Sequence, residues 1–137
     1  MKQLSFRIKE GELFREVIES KCKEAGVKAG VILSAVGGFQ KLFLRMPILP
    51  NQEKHTVKEL DGPFEIISIN GTISPNDCHI HVSASDKDGV CIGGHLKEGS
   101  TVKNTAEVVI GVFEDVIFER NFDSETGYEE FDPVVIK

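Results

Sequence analysis

Eight residues, Cys78-His79-Ile80-His81-Val82-Ser83-Ala84-Ser85, constrain this chain more than any other stretch. Strand side chains point alternately to two faces, so Cys78, Ile80, Val82 and Ala84 share an apolar face. His79, His81, Ser83 and Ser85 share the other. Asp86-Lys87-Asp88-Gly89 follows, then a second run, Val90-Cys91-Ile92-Gly93-Gly94-His95-Leu96. A three-residue hairpin loop ends on a left-handed residue, which glycine fills best, and Lys87-Asp88-Gly89 meets that demand. Asp86 then partners Val90. In this register Ile80 faces Leu96, Val82 faces Gly94 and Ala84 faces Ile92, while His81 falls opposite His95 with His79 two residues along. A two-residue loop would pair His95 with Ile80 and drive imidazole into the core, so the apolar pattern selects the first register. Gly93-Gly94 offers room for a bulge or for close approach of a ligand to the backbone.

Facing residues of an antiparallel pair have Cβ atoms about 4.5–5.5 Å apart. Three imidazoles so placed can converge on one ion at about 2.0–2.1 Å from each nitrogen. His79, His81 and His95 are therefore candidate ligands for a divalent metal, zinc first, with a fourth coordination position open. Copper, nickel, iron and cobalt accept imidazole too. The competing reading is a merely polar strand face. Glu107, opposite in facing to Ala106 and Val108, is a candidate fourth ligand or hydrogen-bond partner of a ligand. His55 lies in a polar stretch and reads as solvated. Cys78 belongs to the core side, and Cys91, about 13 Å along the strand from His95, is too far to share its ion.

Elsewhere the period changes. Leu13, Phe14, Val17, Ile18, Cys22 and Ala25 recur at helical spacing, with Glu12, Arg15, Glu16, Glu19 and Lys23 on the opposite face and Gly26 at the cap. Gln3 to Lys9 alternates as a strand. Ala29–Val36 and Phe39–Met46 are apolar segments separated by a turn or bulge at Gly37-Gly38. Strands are predicted over Pro63–Ser74, Cys78–Ser85, Val90–Leu96 and a long Thr105–Asn121. Strands that adjoin one another without intervening helices predict an α+β fold, a largely antiparallel sheet flanked by one amphipathic helix. At 137 residues, the chain is expected to form a single domain, 1–137.

Sixteen basic against 22 acidic residues leave a net charge of −6, which disfavours DNA, although Lys21, Lys23 and Lys28 cluster near one helix end. Three cysteines without a close pair do not form a disulfide framework. No apolar run reaches the roughly 18–20 residues of a membrane span, and the first residues lack a signal-peptide core. The expectation is a cytoplasmic protein with no membrane partner.

Gly62-Pro63-Phe64-Glu65-Ile66-Ile67-Ser68-Ile69-Asn70-Gly71-Thr72, the His79-Ile80-His81 strand, Asp88-Gly89 and Gly93-Gly94-His95-Leu96-Lys97-Glu98-Gly99 together resemble the PPC domain, the plant- and prokaryote-conserved domain. Ile32 to Gly37 and Thr105 to Ile110 match its pattern as well. The resemblance covers nearly the whole chain and implies a homotrimer of α+β subunits with a histidine trio that binds a metal such as zinc. It also implies an interaction surface at Phe64, Glu65 and Ile66. The family was once labelled DNA-binding, but the Arg-Gly-Arg-Pro hook of its plant members is absent from this sequence.

Three functions follow. The first is a trimeric metal-binding domain acting on a small molecule, with Glu107 or Glu65 as a general base if the ion is catalytic. The second is DNA binding and transcriptional regulation. The third is a non-catalytic interaction module, with protein partners, whose metal stabilises the assembly.

Overall fold

A computed structural model describes residues 1–136. The chain forms β1 (Lys2–Lys9), α1 (Phe14–Glu24), β2 (Gly30–Arg45), β3 (Val57–Ser74), β4 (Asp77–Ser85), β5 (Cys91–Leu96), β6 (Thr101–Val112), β7 (Val116–Asp123) and β8 (Tyr128–Val135). Six strands make one antiparallel sheet in the order β1-β6-β2-β3-β4-β5, and β7 and β8 form a separate hairpin. The long β2 reaches a second neighbour: Leu44 pairs with Leu96 and Arg45 with His95. β2, β3, β4 and β5 therefore close into a ring, which leaves no free edge where the histidines lie.

The helix has the length that its periodicity predicts and lays Phe14, Ile18 and Cys22 on the sheet. Phe14 meets Phe39 of β2 edge to face at 5.0 Å. Ile8, Leu42, Leu44, Ile80, Val82, Leu96, Val108 and Ile110 complete a continuous buried core. Arg15 departs from the expected solvent face and is 6% exposed. Its position is three residues before Ile18 and seven before Cys22, so it shares the apolar stripe.

The predicted elements differ from the structure at several places, among them the start of β6 at Thr101 and the unpredicted strand β8. The two apolar segments around Gly37-Gly38 are one strand, and the discontinuity is a bulge: Gly37 pairs with Ala106 but Gly38 with Lys103. A Cβ on Gly37 would lie 2.0 Å from the Thr105 carbonyl oxygen, so the strand passes only because the side chain is missing. The long terminal strand divides at Phe113–Asp115, where Phe113 N–H bonds to Ala29 O at 2.9 Å and Phe118 N–H to Lys28 O at 3.0 Å. Those bonds turn the chain around the start of β2. β3 starts at Val57, ahead of Pro63, and pairs through that stretch with Lys41–Arg45. Among the described residues, no helix is long and apolar enough to cross a membrane.

A Gly37→Ala substitution is expected to cost about 1–3 kcal/mol, as overpacking does. Equilibrium denaturation measures it, and an unchanged midpoint would show that the bulge relaxes freely.

Candidate metal centre

β4 and β5 pair His81 with His95, Val82 with Gly94, Ser83 with Gly93, Ala84 with Ile92 and Ser85 with Cys91, in the register selected by the apolar pattern. The glycine pair holds no bulge. The turn explains the register: Gly89 has φ +80°, and the Asp86 carboxylate accepts the N–H groups of Asp88 at 2.9 Å and Val90 at 3.0 Å. Asp86 N–H also reaches Val90 O at 2.9 Å.

The three rings stand together. Their centroids are 4.9 Å apart for His79–His81, 5.0 Å for His79–His95 and 5.5 Å for His81–His95. One ring nitrogen from each lies within 4.8 Å of the others. The Nε2 atoms of His79 and His81 are 3.1 Å apart. Nδ1 of His95 is buried with no hydrogen-bond partner among the described residues, a costly state for a polar atom that lacks a ligand. Converging imidazoles and an orphaned nitrogen fit a zinc-class ion.

Electrostatics keep two of the rings neutral, the form that donates a lone pair. Burial, then the charges of His81, Arg120 and Arg45, lowers the pKa of His79. Burial, then Arg45, His79, His81 and Arg15, lowers His95 to about 3. Burial pushes the Cys78 thiol well above the ordinary range, so it stays an inert core group.

Arg15 ties this hairpin to the helix. Its guanidinium donates to the backbone carbonyls of Leu96 and Cys78, each at 3.0 Å, and these residues directly adjoin His95 and His79. It also donates to Asp77 at 2.9 Å and to Glu19 at 2.9 Å. Periodicity alone could have flagged it; nothing in the sequence marks Arg45 or Arg120, which reach the site through pairings distant along the chain.

The other candidates lie elsewhere. Glu65 pairs with Ser85 and Gly38, four residues along β4 from His81, or about 13 Å. Glu107 pairs with Arg7 and Val36 on the far part of the sheet. Neither lines a cavity that contains a histidine. Within the Phe64–Glu65–Ile66 segment, Phe64 is in the core and Ile66 packs against it, leaving Glu65 exposed. His55 is not simply solvated: one ring nitrogen meets Met46 O at 2.9 Å and the other Tyr128 Oη at 2.7 Å, linking the loop before β3 to the terminal hairpin.

The model of the Plants and Prokaryotes Conserved (PCC) domain matches residues 1–114. A metal-containing protein from Archaeoglobus fulgidus is 32% identical, with a TM-score of 0.83 over 96% of this chain and 94% of that one. A plant- and prokaryote-conserved protein from Pyrococcus horikoshii is 26% identical, with a TM-score of 0.84 over 99% and 94% of the two chains. The bifunctional protein GlmU of a Synechococcus strain is 30% identical over 130 residues, 95% of this chain. This chain spans about a fifth of that relative's length, 20%.

Two outcomes test the geometry. Arg15→Met leaves two carbonyls and two carboxylates without their buried donor and is expected to cost about 3 kcal/mol in denaturant unfolding. The second outcome concerns pH. His95 binds its proton near 6.5 when unfolded and near 3 when folded. The unfolded state therefore takes up more protons between those values, and stability present above about pH 6.5 is lost as pH falls. The thermal midpoint of the metal-free protein should drop on acidification through this window, and His95→Gln should flatten the slope. Equal slopes would mean that His95 protonates freely in the fold.

Proposed function

Because the chain belongs to the Plants and Prokaryotes Conserved domain family, we propose that it is a metal-binding protein holding one divalent ion, zinc first, on His79, His81 and His95. The observation that carries this reading is the convergence of three imidazole nitrogens within 4.8 Å beside an unpartnered buried nitrogen of His95. The Archaeoglobus relative's description as metal-containing supports it. When bound, such an ion supplies Lewis-acid chemistry at an open fourth position. The chain's own contribution is to hold His79 and His95 neutral and to fix β4 against β5 through Arg15.

The proposal extends to residues 1–137 as one domain in a cytoplasmic homotrimer. Leu33, Val36 and Ile67, each more than half exposed on neighbouring strands β2 and β3, support a subunit interface. Cys22, Cys78 and Cys91 are all free thiols, in keeping with a reducing compartment. DNA binding is the weaker reading, since a net charge of −6 opposes phosphate contacts.

Mass-spectrometric metal analysis of protein purified without a nickel column is expected to find about one zinc-class ion per chain, lost in His81→Ala. A chain that arrives empty and takes up no added zinc would make the triad a polar strand face and leave the interaction module as the function.

A further inference from the structure

A cavity of about 320 Å³ opens beside the triad, within the range of small-molecule sites. His79 and His95 line it, and so do Arg45, Lys97, Arg120 and Tyr128. The two arginines are tied to the two histidines by strand register. Arg45 is the β2 partner of His95. Arg120 donates through Nη2 to Thr72 Oγ1 at 3.1 Å, and Thr72 is the β3 partner of His79.

The arginines are unusual in another respect. In a chain with 22 acidic residues, neither forms a salt bridge among the described residues. Arg15 and Lys97, on the same cavity, are both ion-paired. Nearby Glu129 and Glu130 approach neither Arg45 nor Arg120 within salt-bridge distance, and Asp77 is engaged by Arg15. Aromatic rings fix the guanidiniums instead: Arg45 lies 5.9 Å over Tyr128 and Arg120 5.5 Å over Phe131. The Nε of Arg120 is buried and unpartnered. Two ring-oriented guanidiniums without a carboxylate partner, lining one cavity, suit the oxygens of a carboxylate or phosphate.

We propose that this cavity binds a small oxyanion, a carboxylate or phosphate compound, shared between the Arg45–Arg120 pair and the ion of the histidine triad. The inference rests on that metal reading and names the class of ligand for the same site. Arg120 of β7 and Tyr128, Glu129 and Glu130 of β8 close one side of the cavity, so the terminal hairpin is part of the ligand site.

Isothermal titration of the zinc-loaded full chain with malonate and with inorganic phosphate tests the proposal. At least one probe should bind, malonate if the ligand is a carboxylate and phosphate if it is a phosphate ester. Arg45→Gln and Arg120→Gln should each weaken that probe about tenfold or more, while the zinc content stays unchanged. Unchanged zinc in each variant reports an intact triad, and Arg45→Lys, with its charge but no planar fork, should recover only part of the loss. Absence of binding by both probes, or equal binding in wild type and variants, overturns the proposal. If the chain takes up no zinc, the metal reading falls and the same titration still decides the arginines. Arginine-dependent binding then upholds the anion site, and binding that is absent or arginine-independent overturns it.

Discussion

The pairing of β4 with β5 governs the rest, because a strand's two faces leave no intermediate choice. With side chains alternating at every residue, a slip of one position would place His95 against the core and Ile92 and Leu96 on the solvent side. The turn prevents that slip twice over. Gly89 takes the left-handed conformation at φ +80°, and the Asp86 carboxylate holds two N–H groups of the same turn. Apolar burial of Ile80, Val82, Ala84 and Leu96 then reinforces the register from the opposite face. The grouping of three imidazoles is a consequence of hydrophobic packing on the reverse side of the sheet.

A rigid hairpin would still be free to drift relative to the helix without Arg15. Its guanidinium crosses from α1 to carbonyls on both histidine strands, so one side chain sets their spacing from beneath. Buried charge is costly, and here four acceptors from three elements, two of them carboxylates, offset that cost. Burial first, then the charge of Arg45 and last that of Arg15, discourages protonation of His95. Packing, orientation and the protonation state of the candidate ligands are thus coupled through a few cationic groups in an acidic protein.

The terminal hairpin extends beyond the stretch matched by the family model, residues 1–114, yet it contributes to the same cavity. Its grip is polar, His55 to Tyr128 and Arg120 to Thr72, while Phe118 meets Phe131 within the hairpin at a tilt, 4.8 Å between centroids. The hairpin adds Arg120, Tyr128, Glu129 and Glu130 to a cavity whose other cations, Arg15, Arg45 and Lys97, come from the rest of the chain. Glu65 and Glu107, attractive as bases when only residue type is considered, are separated from the triad by strand length and by sheet order.

Local pattern was enough to read the helix, the α+β class, the hairpin register and the three histidines. Each depends on contacts within a few residues or across one tight turn, where periodicity and turn chemistry act directly. The resemblance carried by Gly62–Thr72 and Gly93–Gly99 named the family for the same reason, as short segments in a fixed order. Tertiary structure alone decided the remainder. β2 reaches both β3 and β5, placing Arg45 beside His95, and the chain turns at Phe113–Asp115 to bring Arg120 to Thr72. Those are contacts between residues dozens of positions apart, fixed by ring closure and by the bulge at Gly37, and no local periodicity encodes them.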